Sequence, residues 1–349
     1  MRYIGGFLDI DLPDEIPFSG FLKYWKMPTD NSLTWSNARS AFKYLISALK
    51  PRDIWIPAYI CKVIPEQVPK SKLKFYPVGF ELSPDCDFLS KKIRSGDLVF
   101  GVNYFGLPPS KEFYSLVEDN KSCIFVEDCA QSIDIGENHW GDILLYSPRK
   151  LVGVADGGIL INVTKKKFTI SQPRMSMPDP SLYLPLLKRY EDITGDDQPS
   201  WHSEYESRRL TLTSSNRRMT KTSLALMSIM DPMKIIERRK ENYKILDTLL
   251  NEFGFLNSHI SKDRIESNFV PFGFPVSVQS DKREEIRRKL FEKGIYTFRH
   301  FSDLVAPIKE YENEYSMASE LMTLPCDQRY DDQDMKKMAD LFNKCYKRR

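Results

Sequence analysis

The chain has 349 residues, of which 41% are hydrophobic, 12% aromatic and 28% charged, with a formal net charge of +3. That length exceeds one compact core and suits two unequal domains, or one large α/β domain with an appendage. Charges of both signs are interspersed, which argues against a nucleic-acid partner, and no window reaches the roughly 18 apolar residues that span a bilayer.

Residues Met1–Phe18 carry Asp9, Asp11, Asp14 and Glu15 with no basic start, so they do not read as a secretory leader and a cytoplasmic location is expected. The six cysteines (Cys61, Cys86, Cys123, Cys129, Cys326, Cys345) form no CxxC pair and have no histidine cluster beside them. They read as reduced thiols, and no metal site is expected.

Ser36–Ala48 has apolar Phe42, Leu45, Ile46 and Leu49 at helical spacing, with Ser36 or Asn37 as N-cap. Asp53–Tyr59 predicts a strand, "VIPEQVPK" a helix, and "KLKFYPVG" a further strand. Asp97–Gly106, Ser122–Ala130, Asp142–Ser147 and Gly157–Val163 are apolar runs of the kind found in strands covered on both faces. This repeated βα pattern predicts a doubly wound α/β domain.

Residues 165–215 are rich in breakers, with a helix expected near Leu182–Tyr190. A long helix follows over Asp231–Leu250, with Ile235, Ile236, Tyr243, Ile245, Leu246 and Leu249 on its apolar side. Asn268–Val278 predicts a strand, Asp281–Gly294 a helix, Ile295–Phe301 a strand, and the last residues a helix. The expected division is residues 1–230 as the large domain, and 231–349 as interdomain helix plus a small α+β domain.

Ligands in open parallel sheets bind beyond the carboxyl ends of strands. Asp128 ends one apolar run, while Ser147 and Lys150 follow another. Singly, each is bland. Together they suit pyridoxal 5'-phosphate (PLP), which needs a lysine amine for a Schiff base and a carboxylate at the ring nitrogen. It also needs hydroxyl and backbone N–H donors for its phosphate, which Ser147 and the helix start at Asn37-Ala38-Arg39 offer.

The motifs resemble those of the DegT/DnrJ/EryC1/StrS family of PLP-dependent nucleotide-sugar aminotransferases. "SNARSAFKYLISALKPRDIWIPAY", "GVNYFGLPPS", "VEDCAQSIDI", "GDILLYSPRKLVGVADGGIL", "NRRMT", "RRKENY", "GIYTFRHF" and "LMTLPCDQRYDDQDM" are similar to family segments in the same order. The resemblance implies a fold type I (aspartate-aminotransferase-like) transferase. In that reading Lys150 carries the Schiff base and shuttles protons, and Asp128 pairs with the ring nitrogen. Gln131 meets the cofactor's phenolic oxygen. Ser147 and the backbone at Ala38 and Arg39 hold the phosphate, as does Asn216 of a partner subunit in a homodimer with composite sites. His300 faces substrate.

The chain departs from the pattern in four places, one of them an insert at 165–215 that is not typical of the sugar enzymes. The Ser147–Lys150 interval is two residues shorter than the family form, Ala38-Arg39 replaces a Gly-Thr pair, and Cys61 occupies the position of an aromatic that covers the ring. Tyr59 or Tyr104 is then expected to stack instead. The implied activity is transfer of an amino group, from glutamate, to a nucleotide-linked keto-sugar, in amino-sugar biosynthesis for surface polysaccharide or a glycosylated metabolite. Two alternatives are PLP chemistry on a non-sugar carbonyl and a non-catalytic regulatory protein on the same fold.

Overall fold

The computed structural model describes residues 16–27, 32–133, 139–164, 170, 173, 179–191, 200–211, 213–266 and 269–347. The elements run α1 (Gly20–Tyr24), β1 (Ser32–Trp35), α2 (Ala38–Leu49), β2 (Ile54–Pro57), β3 (Leu73–Tyr76), α3 (Cys86–Lys92), β4 (Leu98–Val102), α4 (Lys111–Asp119), β5 (Ile124–Asp128), β6 (Ile143–Tyr146) and β7 (Gly158–Asn162). They continue as α5 (Leu184–Glu191), α6 (Ser200–Thr211), α7 (Lys221–Ile229), α8 (Pro232–Leu250), α9 (Phe255–His259), α10 (Lys262–Glu266), β8 (Phe274–Ser277), α11 (Ser280–Phe291), α12 (Glu312–Glu320), β9 (Leu321–Leu324) and α13 (Asp332–Lys347).

The main sheet has seven strands in the order β1-β7-β6-β5-β4-β2-β3. Strands β2 to β6 are parallel, while β7 runs antiparallel to β6 and β1 antiparallel to β7. β2, β4 and β6 are buried throughout, as continuous apolar runs predict for a sheet covered on both faces. This is the expected doubly wound α/β core, and parallel pairing brings the carboxyl ends of β2, β4, β5 and β6 to one edge.

Helix α8 starts where the sequence places it, with Pro232 at its first position and Asp231 accepting from the N–H groups of Met233 and Lys234. It buries Ile236, Tyr243 and Leu246 as expected, but Leu249 lies outward and Arg239 and Asn242 lie inward. β8 and β9 form a second, antiparallel sheet, and one apolar cluster joins Phe100 and Phe125 of the main sheet to Tyr243, Phe274 and Phe342.

Two expected elements differ. "VIPEQVPK" forms only a short turn of 3-10 helix at Pro65–Gln67, because its prolines remove N–H donors and limit the preceding residues. Ile295–Phe301 is not a strand; only Phe298 bridges to Thr323, leaving His300 in a loop at the edge of β9.

The 165–215 stretch contributes the expected α5 and an unexpected α6 in its described part. Their aromatic contacts lie with the C-terminal region. Trp201 and His202 stand 5.4 and 4.8 Å from the Tyr296 ring, and the Arg189 guanidinium lies 4.4 Å over Trp201.

Candidate active site

Asp128 is the last residue of β5, and Lys150 follows β6, the neighbouring parallel strand. Pro148–Lys150 is one turn of 3-10 helix, closed by the Lys150 N–H on the Ser147 carbonyl (3.0 Å). Ser147 is buried and Lys150 is exposed. Burial raises the pKa of Asp128, and the charge of Lys150 together with the Ala130 N–H (2.9 Å from Oδ1) acts against that rise. The same lysine acts on two further groups. Burial raises the Cys61 thiol, which Lys150 opposes. Burial lowers His300 to about 3, and Lys150 adds to that fall. One amine thus sits within electrostatic reach of a carboxylate, a thiol and an imidazole at the carboxyl ends of the sheet.

His300 is a neutral imidazole walled by aromatic rings: Phe301 at 5.4 Å, Phe105 and Phe272 at 5.6 Å, and Phe298 at 6.1 Å. Its Nδ1 meets the Thr323 hydroxyl at 2.9 Å. Tyr59 and Tyr104 are both fully buried, with rings 5.5 Å apart. The Tyr59 hydroxyl donates to the His300 carbonyl, and the Tyr104 hydroxyl to the Tyr59 carbonyl (2.6 Å). Tyr59 is therefore built into the support of His300. Gln131 uses its Oε1 to accept the Phe105 N–H (2.7 Å), holding Phe105 in a left-handed conformation (φ 56°) that costs a non-glycine residue energy. That bond leaves the Gln131 NH2 group to serve another acceptor.

The helix start at Ala38 lies at the same edge. Asn37 caps α2 through the Ser40 N–H (2.9 Å). A Cβ at Gly158 would come 2.3 Å from the Ala38 N atom, and one at Gly157 (φ 129°) 3.1 Å from Pro148 Cγ and 3.0 Å from Met219 Sδ. Only glycine allows this approach. The Gly-Gly pair therefore brings together the α2 N-terminus, the lysine turn and the "NRRM" segment. Arg39 is half-buried beside its backbone N–H.

Asn216 follows Ser215, whose hydroxyl meets that of Ser36 (3.0 Å) and whose N–H donates to Ser40 (2.9 Å). The Asn216 Oδ1 is buried with no hydrogen-bond partner, a costly state for a polar atom. Asn216 and Arg39 stand near the helix start, at one end of the arrangement, and His300 at the other.

The residues fit PLP. A desolvated carboxylate suits a protonated ring nitrogen, an exposed amine suits the aldehyde, and a capped helix of 12 residues with glycine beneath its first N–H suits a phosphate.

The sequence matches the model of the DegT/DnrJ/EryC1/StrS aminotransferase family over residues 92–341. The chain belongs to that family. It is accordingly a PLP-dependent aminotransferase of fold type I. Among the curated proteins none matches this sequence. Solved structures share the fold at low identity. PseC of Helicobacter pylori, an aminotransferase involved in the biosynthesis of pseudoaminic acid, has 14% identity and a TM-score of 0.63, covering 95% of this chain and 99% of its own. DesV of S. venezuelae, solved with a ketimine intermediate, has 17% identity and a TM-score of 0.64, covering 94% and 88%. NtdA of Bacillus subtilis, solved with bound cofactor PMP, has 15% identity and a TM-score of 0.60, covering 91% and 73%.

Phe105 and Phe272 escaped the sequence reading as members of this site. Cys61 was legible in part, because it follows the carboxyl end of β2 as Asp128 ends β5. The aromatic wall was not, because it is assembled from three distant segments.

Proposed function

We propose that this enzyme transfers an amino group from glutamate to a keto-sugar carried on a nucleotide, as a homodimer with composite sites. The observation that carries the reading is the coupling of Lys150 to both Asp128 and His300. PLP, when bound, supplies an electron sink for the carbon that loses or gains a proton. Lys150 moves that proton as general acid and base. Asp128 holds the ring nitrogen protonated, and the Gln131 NH2 meets the phenolic oxygen. Ser147 and the N–H groups of Ala38 and Arg39 bind the phosphate, where Asn216 of the partner subunit joins them.

His300 supports a sugar over an anionic substrate group at its position. With Nδ1 engaged by the Thr323 hydroxyl, the Nε2 of this neutral imidazole offers one donor or one acceptor, which suits a hydroxyl and gives no ion pair to a carboxylate or phosphate. The likeness to PseC, an aminotransferase involved in the biosynthesis of pseudoaminic acid, supports the same class. Residues 231–349 then form the lobe that carries His300 against the large domain.

The test is to offer nitrogen-labelled glutamate with a panel of nucleotide-linked keto-sugars and, in parallel, non-sugar keto acids. Label on a sugar carbon supports the proposal. Label transferred only to non-sugar carbonyls contradicts it.

A further inference from the structure

The lysine turn is a single 3-10 turn, two residues shorter than the family form, so little of its own structure fixes where the Lys150 amine lies. It is held from outside. Arg239, on α8, is 2% exposed, and its guanidinium donates to neutral oxygens. Its Nη2 donates to the carbonyl of Leu151 (2.9 Å), the residue directly after Lys150. Its Nη1 donates to the carbonyls of Pro271 (3.0 Å) and Phe272 (3.2 Å), and its Nε to Gln328 Oε1 (2.8 Å). The Gln328 amide donates to the same Leu151 carbonyl at 3.2 Å.

Both donors are themselves anchored. One turn along α8, Asn242 donates to the carbonyls of Asp327 (3.0 Å) and Tyr330 (2.9 Å), fixing the loop that carries Gln328. Phe272 donates its N–H to the Phe105 carbonyl (2.9 Å), and its ring walls His300. A single planar guanidinium thus joins the lysine turn to two strands of chain that line the substrate side. Lysine in its place is a point donor and cannot reproduce the fork. Burial opposes the Arg239 charge and Asp327 offsets part of that cost, an expensive arrangement for a residue that only fills space.

We infer that Arg239 is a positioning residue: with Gln328 it clamps the Leu151 carbonyl and so sets the Lys150 amine relative to Asp128 and His300. The inference rests on Lys150 being the reactive amine. A displacement of about 1 Å at a reacting group can cost on the order of a hundredfold in rate.

The experiment compares the native chain with Arg239→Lys, Gln328→Leu and Arg283→Lys. Arg283 is a control: it is also buried and also donates to backbone carbonyls, at Ala318 and Leu321, away from the turn. Two readouts are taken. In the apoprotein, hydrogen exchange is followed at the amides of residues 150–154. On adding PLP, the rate at which the Lys150 amine condenses with the aldehyde, releasing water, is followed by absorbance. The inference expects Arg239→Lys to speed exchange at 150–154 and to slow condensation by about tenfold or more, with Gln328→Leu smaller in the same direction and Arg283→Lys unchanged in both. Where Arg239→Lys fails to fold, Gln328→Leu decides. Variants that lose melting temperature like the control, with native exchange at the turn and native condensation, overturn it. If the native chain itself forms no adduct with PLP, the cofactor reading of Lys150 fails, while the exchange arm still shows whether Arg239 holds the turn.

Discussion

Asp128 ends β5 and Lys150 lies in the turn that follows the adjacent parallel strand β6, and the buried carboxylate of the one feels the ammonium of the other at the edge of the sheet. Without a ring nitrogen beside it, Asp128 is a desolvated carboxyl whose pKa lies above its ordinary value. Such a group favours folding when protonated, and its contribution is lost as pH rises past the ordinary carboxyl value of about 3.9 toward the folded one. Asp128→Asn should therefore leave the apoprotein at least as stable as the native chain at pH 7.5, yet lose most of the stabilisation that PLP confers and cripple turnover. Calorimetry with and without cofactor checks this; native-like stabilisation by PLP contradicts the role.

His300 should remain neutral across the working range, because burial holds it at about 3. A depressed histidine stabilises the fold above its unfolded value of about 6.5 and the contribution fades as pH falls below that. Its ring carbon resonances should not move between pH 8 and pH 5, and His300→Gln should weaken sugar use more than the glutamate half-reaction. A midpoint near 6.5 in the native protein argues against this environment.

The insert is pinned to the cofactor-side loop through a buried carboxyl. Asp156, two residues before Gly158, accepts from the Thr220 N–H and hydroxyl (both 2.9 Å) and from the Ser223 hydroxyl. The Tyr183 hydroxyl, next to α5, meets Thr220 and Ser223 at 2.7 and 2.6 Å. Tyr183→Phe should cost about 1 kcal/mol of stability, while Asp156→Ala, which strands several donors, should cost about 2–4 kcal/mol. Denaturant titrations read both; equal, negligible losses would place the insert's anchor elsewhere.

Asn216 carries the composite-site proposal. Mixing Lys150→Ala with Asn216→Ala subunits should restore activity toward one quarter of native, because some mixed dimers then hold one site with both residues intact. No recovery, or a monomer at micromolar concentration in sedimentation, contradicts a shared site.

How much of this was legible is itself physical. The strand runs ending at Asp128 and Tyr146 were readable because continuous apolar sequence has one good solution in a parallel sheet. Ser36 and Asn37 were both readable as N-caps from their chemistry, and the structure gives the cap to Asn37. Strand Leu321–Leu324 and the loop that seats His300 were not, since a two-stranded ribbon and a single Phe298–Thr323 bridge depend on partners far along the chain. Tyr59 and Tyr104 read as candidate stacking rings, and the hydrogen bond from the Tyr59 hydroxyl to the His300 carbonyl was not legible, because it joins residues far apart in the chain. Arg239 drew no role of its own from the "RRKENY" segment, because its burial comes from the packing of α8 against the Leu151 and Phe272 carbonyls.

The amine of Lys150 is the centre of the proposed chemistry. The decisive measurement is borohydride reduction of the protein with PLP, followed by peptide mass spectrometry, for the native chain and for Lys150→Ala. The native chain should carry a stable adduct on the peptide containing Lys150, and the variant, folded as judged by circular dichroism, should carry none. An adduct that persists at another lysine in the variant, or its absence from the native chain, contradicts the assignment.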